Sequence, residues 1–474
     1  FRIMGATAFP RLMAFGAARD ERLAFEAGRV TGEESRALGV HVNFAPVVDV
    51  NNNPRNPVIN TRSFGEDPAL VGRLASAYIR GLQSTGVIAT LKHFPGHGDT
   101  DVDSHLGLPV IKHPRERLEA IELPPFKAGI AAGADAIMTG HIEMPAFDAT
   151  PATPTTLSEP IVSGVLRKEL GFRGLIYTDS MGMQGVTNMH APGEAAVRAV
   201  LAGNDVVLHS PDDGAAFAGI LEAVKSGRIP QPRIDLSVER ILRAKARAGL
   251  HKTRTVNLEE IPKIVGTRAN QAIADAVSER SITLIKDARS QVPLKIAKDA
   301  QVLYLSVLDY PSGWRIAAPS RTFIPELRKR WANVTSIELS DRTTGSEIEL
   351  VRAMIPRYDA VVASVFVRTA SFSGRMDLAP GLQRLLQDAA RATAASGRPF
   401  ITTFFGNPYA ATFLPDLPAV LLTYDFYDRA EGAAVRAIAG EAAIGGRLPI
   451  TLPSMFEQGH GLTRAASTTA GASR

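Results

Sequence analysis

Between about residues 40 and 250 this chain alternates short apolar runs with amphipathic stretches, and no other feature narrows its fold as far. The runs 42–48, 87–91, 136–139, 174–178 and 205–208 read as buried strands. Between them, 70–84 and 115–132 carry the spacing of helices. Strand then helix, repeated, builds parallel βαβ units. Each run ends in polar residues: Asp49; Lys92 and His93; His141 and Glu143; Asp179; His209 and Ser210. Parallel barrels keep their chemistry at the C-terminal ends of their strands. The expected fold is therefore α/β, a (β/α)8-type TIM barrel over residues 1–250. Eight units are expected and five are legible, so the barrel is expected to lack its first strands.

The charged stretch 251–266 breaks the rhythm and reads as a linker. A helix is expected at 268–280, then strands at 282–285, 302–307, 359–366, 399–405 and 419–424. These predict a second domain over 267–462, an α/β layered sandwich. Residues 463–474 are mostly small and polar and are expected to be a disordered tail.

The run 87–91 leads into Lys92-His93-Phe94-Pro95-Gly96-His97-Gly98-Asp99-Thr100-Asp101-Val102-Asp103-Ser104-His105. Two glycines and a proline rule out a helix there. Packing does not account for three histidines and three aspartates in one loop of fourteen residues. Asp103 and His105 are two apart, so in an extended segment they point the same way. A carboxylate beside an imidazole fixes its tautomer and favours the imidazolium, which makes a general acid/base near neutral pH. Calcium binding is the competing reading, since Asp99, Asp101 and Asp103 begin an Asp-x-Asp-x-Asp loop. It fails because position six is Ser104 and position twelve is Val110. The histidine spacing does not match the helical zinc pattern either, so no metal or other cofactor is expected.

Asp179 ends the run 174–178 and precedes Ser180-Met181-Gly182-Met183. A carboxylate there serves as a nucleophile or stabilises a positive transition state; the competing reading is the N-cap of the next helix. Arg62, Lys92 and His93 supply donors suited to a polyhydroxylated or anionic ligand. Alternatively, Arg62 pairs with Asp67 and Lys92 sits in a buried ion pair. Met181 and Met183 read as core or pocket wall, and Asp49 as a structural group holding the Arg62 loop.

Composition closes several function classes. The net charge is +5 over 474 residues with no basic run, which argues against a nucleic-acid partner. The absence of cysteine excludes disulfides, thiolate metal sites and thiol nucleophiles. No apolar run is long enough to cross a bilayer, and no signal peptide is visible in a chain that opens at Phe1. Compartment and oligomeric state stay open.

The loop from Lys92 to His105 resembles the marker of the family 3 glycoside hydrolases, β-N-acetylglucosaminidase branch: Lys-His-Phe-Pro-Gly-His-Gly, four residues, then Asp-Ser-His. Further matches are Phe44 to Val50, Asn53 to Pro57, Arg62-Ser63-Phe64-Gly65, Gly445 to Pro449 and Gly459 to Leu462. The resemblance covers almost the whole chain. It implies that Asp179 is the nucleophile forming a covalent glycosyl-enzyme. His105 would be the general acid/base and Asp103 its dyad partner, while Arg62, Lys92 and His93 would bind sugar hydroxyls. The implied activity is a retaining exo-β-N-acetylglucosaminidase acting on muropeptide or chitin-derived saccharides, in a bacterial cytoplasm or cell envelope. Rivals are a phosphorylase or β-glucosidase of the same family, a non-catalytic sugar-binding relative, and a metal-dependent hydrolase. The chain departs from the family in two places. No Asp-x-Glu-Gly-Gly strand precedes Phe1, so an N-terminally truncated form is expected. Ser180 stands where a second acid more often follows the nucleophile.

Overall fold

The computed structural model describes residues 3–309, 318–368 and 377–467. They divide into two compact units, the first holding 20–271 and the second the described residues of 272–368 and 377–467, together with Phe9–Arg19. That last segment belongs with the second unit because Arg447 N–H donates to Ala17 O at 3.1 Å and the Arg11 guanidinium lies over the Phe426 ring. The stretch 251–266 groups with the first unit. Gly266 N–H and the Asn270 amide both donate to the buried Glu34 carboxylate.

The first unit holds a parallel sheet of four strands in the order β1 (Val42–Asn43), β2 (Ile88–Phe94), β3 (Ala136–Thr139) and β4 (Leu175–Thr178). Apart from Lys92, the residues of β2, β3 and β4 are buried, which explains why they read as unbroken apolar runs. The expected strand 42–48 is shorter than predicted. Pro46 has no N–H to give the ladder, and pairing resumes only at Val47, opposite Lys92. The expected strand 205–208 is a single bridge, Val206 to Tyr177, because the Thr178 hydroxyl takes the Leu208 N–H in place of a backbone carbonyl. Five strand positions thus stand side by side, with helices Pro68–Gln83, Leu123–Ala131, Pro192–Ala202 and Gln231–Arg247 among the covering elements. This is the α/β barrel architecture expected. The helix expected over 115–132 is two helices, Arg115–Ile121 and Leu123–Ala131, parted just before the pair Pro124-Pro125.

The second unit is a six-stranded sheet. Its strands are β5 (Thr283–Asp287), β6 (Gln301–Leu308), β7 (Asn333–Leu339), β8 (Ala360–Val367), β9 (Phe400–Gly406) and β10 (Ala419–Leu422). The order is β5-β10-β9-β8-β6-β7, with β5 antiparallel and the rest parallel. β8 lies inside the sheet and every residue is buried. Its Phe366 stacks on Phe405, and Tyr304 stacks on Phe323, within one continuous core. The tail expected to be disordered from residue 463 is held as far as Ser467. Arg464 N–H donates to Ile444 O, its guanidinium meets Asp287, and Ser467 N–H donates to Gly440 O. Residues 468–474 of that expected tail lie outside the described residues.

Candidate active site

The loop after β2 is built on a buried carboxylate, that of Asp49. Asp49 has no exposed surface. One of its oxygens accepts the backbone N–H of His93 (3.0 Å) and of His97 (2.7 Å); the other binds His93 Nδ1 at 2.8 Å. Its role is wider than holding the Arg62 loop, where its backbone carbonyl accepts from Ser63 Oγ. Burial alone would raise the Asp49 pKa, but His93 beside it and the nearby His97 outweigh that and lower it.

Two further contacts pin the base of the loop. The buried Asn56 amide donates to His97 O (2.8 Å) and Gly98 O (2.9 Å). His97 is buried and bridges Thr100 Oγ1 and Ser104 Oγ. Burial, with the charge of His93 beside it, pushes this ring down to about 4, so it works as a neutral strut. A Cβ at Gly98 would fall 1.7 Å from Val50 O, so only glycine lets the chain pass there.

Asp103 and His105 meet, but not as neighbours on an extended strand. Leu106 N–H closes a turn onto Asp103 O, and the Asp103 carboxylate accepts both the His105 backbone N–H (2.9 Å) and Nδ1 (2.7 Å). The aspartate side chain folding onto the backbone two residues on makes the pair, as in an Asx turn. Asp103 is buried while His105 keeps partial exposure, leaving Nε2 as the ring nitrogen not committed to Asp103.

Asp179 follows β4, and its N–H donates to Thr139 O at the end of β3. It does not cap a helix; the next helix, Gln184–Thr187, begins after Met183. One carboxylate oxygen accepts the Ser180 N–H at 2.7 Å, and the other lies 3.8 Å from His93 Nε2. Arg62 approaches the same His93 nitrogen at 3.5 Å. Asp67 caps the helix Pro68–Gln83 by accepting Ala69 N–H. Burial acts to raise the Asp179 pKa, yet His93, His141, the Ser180 N–H and Lys92 outweigh it and hold the group at about 2. His93 and Lys92 thus face Asp179, Arg62 joins them through His93, and the charges of both Asp179 and His105 act on His141. Met181 and Met183 are buried; Met181 packs with Val186, Ala195 and Ala199 as core.

Among the described residues, no group of three or more His, Cys, Asp or Glu is placed to hold a metal ion. The strand ends and the loop after β2 together provide an ionised carboxylate, a carboxylate-backed imidazole and cationic donors, the parts that displacement at a sugar carbon requires.

Residues 1–244 match the model of the glycosyl hydrolase family 3 N terminal domain. The chain belongs to glycoside hydrolase family 3. It is 30% identical to the beta-hexosaminidase A of Pseudoalteromonas piscicida, over 94% of this chain and 80% of that one. It is 28% identical to a beta-N-acetylglucosaminidase/beta-glucosidase of Cellulomonas fimi, over 90% and 76%. Its fold superposes on the family 3 beta-N-acetylglucosaminidase structure from Paenibacillus sp. str. FPU-7 with a TM-score of 0.83 and 35% identity, covering 95% of this chain and 84% of that one. Two further residues of this family 3 chain, His141 and Asn56, hold the backbone around these side chains. In the sequence His141 is a strand-end residue and Asn56 part of the stretch Asn53 to Pro57, with no local signal that either holds the loop or Ser180.

Proposed function

We propose that this family 3 chain is a retaining exo-β-N-acetylglucosaminidase that removes terminal β-linked N-acetylglucosamine from cell-wall or chitin-derived saccharides. The sugar follows the relatives just described, a beta-hexosaminidase and a beta-N-acetylglucosaminidase; retention, exo action and the saccharide source are part of the proposal. The observation that carries the assignment of roles is the 2.7 Å contact of His105 Nδ1 with Asp103, on a loop fixed beside an ionised Asp179.

Arg62, Lys92 and His93 hold the sugar hydroxyls. Asp179 attacks the anomeric carbon as the glycosidic C–O bond breaks, and His105 Nε2 gives its proton to the departing oxygen. Water then attacks the same carbon. His105 takes the water proton, and Asp179 leaves with the bonding electron pair. Two displacements return the starting configuration. Asp103 stabilises the imidazolium before each proton is given and after it is taken.

The test is release of nitrophenol from the β-N-acetylglucosaminide and the β-glucoside, with and without phosphate. The N-acetyl sugar is expected to be preferred with no response to phosphate. Phosphate stimulation with a sugar 1-phosphate as product would instead establish a phosphorylase.

A further inference from the structure

The residue after Asp179 is held at more points than a solvent-facing turn requires. Ser180 N–H donates to the Asp179 carboxylate at 2.7 Å. Its carbonyl accepts from His141 Nε2 at 2.9 Å, and its hydroxyl meets His209 Nδ1 at 2.9 Å. The backbone on either side is pinned as well: Asp179 N–H donates to Thr139 O on β3, and Met181 N–H to Leu208 O beyond the Val206 bridge. The two histidines thus come from the strand positions flanking β4, one on each side.

A carbonyl oxygen only accepts, so His141 Nε2 carries its proton. In the neutral ring Nδ1 then accepts from the Thr156 hydroxyl, 2.9 Å away. His141 is 1% exposed, and burial lowers its pKa, which favours this neutral form. The support continues inward. The Asn204 amide donates to Thr156 O at 2.9 Å and to Ala199 O at 2.8 Å, leaving its oxygen to accept from Thr139 Oγ1 at 3.1 Å. On the other side His209 is a non-glycine residue with φ +53, a left-handed conformation that surrounding structure must hold.

We infer that His141 and His209 are positioning residues: together they clamp Ser180, whose N–H fixes the direction in which the Asp179 carboxylate faces the anomeric carbon. The clamp acts on attack and not on sugar binding, which falls to Arg62, Lys92 and His93. It also gives Ser180 a purpose, because its hydroxyl supplies the contact to His209. The inference rests on Asp179 being the nucleophile.

The test compares His141→Ala, His141→Gln, His209→Ala and Asp179→Ala in steady-state hydrolysis of the nitrophenyl β-N-acetylglucosaminide, with thermal unfolding of each protein. Misaiming a reacting group by about 1 Å costs roughly 10²-fold, so folded His141→Ala should lose kcat by about that factor with KM changed less than about threefold. Glutamine carries an N–H near the place of Nε2 and should recover about tenfold of the loss. The exposed-site variant His209→Ala, where it folds as its thermal unfolding reads, should lose roughly five- to tenfold in kcat at constant KM. Wild-type kcat in both His209→Ala and a folded His141 variant would overturn the clamp, as would a loss appearing in KM without rescue by glutamine. Full activity in Asp179→Ala would instead overturn the functional reading itself, and the clamp with it.

Discussion

Burial raises the pKa of an isolated carboxyl, yet Asp179 is held at about 2 because His93, His141, the Ser180 N–H and Lys92 surround it. An ionised nucleophile at all working pH values follows. With a dinitrophenyl leaving group, which needs no protonation, kcat/KM should stay flat as pH falls from about 7 to about 4.5; an acid limb belonging to Asp179 in that range would contradict the assignment. Asp179→Ala should abolish turnover. His105→Ala should lose roughly 10²- to 10⁴-fold on substrates with poor leaving groups and far less on the dinitrophenyl glycoside, which a leaving-group series reads directly. At this scale the sequence was legible where chemistry is local. Asp103 and His105 are two residues apart, and their pairing could be read even though a turn, not a strand, makes it. Asp49 lies 44 residues before His93, and only the folded loop reveals that its carboxylate organises that stretch.

The loop after β2 is only as accurate as its base. Gly98→Ala would drive a methyl into Val50 O, and since backbone cannot yield cheaply, the loop must shift. Folded Gly98→Ala should lose about 10²-fold in kcat/KM by misplacing His105, with its melting temperature changed far less than its activity. At the fifth strand position, buried Asp205 receives Arg167 at 2.5 Å and Arg240 at 2.8 Å, with Arg233 at 3.9 Å. Asp205→Ala would strand these guanidiniums and should destabilise the first unit by about 3–5 kcal/mol in chemical denaturation. Elements buried on both faces, such as β3, β4 and β8, were legible because their apolar runs are continuous. β7 was missed: it is an edge strand, and most of its residues are at least partly exposed, so Asn333–Leu339 shows neither a clean run nor an alternation. The prolines at 46 and 124–125 are the sequence signals that shorten the strand and split the helix.

Over the whole molecule, the buried titratable groups give the two units opposite pH responses. In the first unit His97 is depressed from 6.5 to about 4, and His141 is lowered too. The unfolded chain then binds more protons, so stability rises with pH from about 4 to 6.5. Glu122, whose pKa burial raises, acts in the opposite sense. In the second unit burial raises Glu431 from 4.5 to about 7 and Asp425 from 3.8 to about 6. There the folded state binds more protons, so stability falls as pH rises through the same window. The shifts of His97 and Glu431 each correspond to on the order of 3 kcal/mol. Hydrogen exchange corrected for intrinsic rate should show peptides of the first unit gaining protection between about pH 5 and 7 while those of the second lose it; parallel changes would contradict this. Among the described residues no helix is long and apolar enough to cross a membrane. The central claim concerns which atom attacks the sugar. The most direct measurement is mass spectrometry of the enzyme trapped with a fluorinated N-acetylglucosaminyl fluoride, followed by peptide mapping and by proton NMR of the first-formed product anomer. The account predicts a single glycosyl adduct on the peptide bearing Asp179 and a β product. An adduct on another residue, or an α product with no adduct, would contradict it.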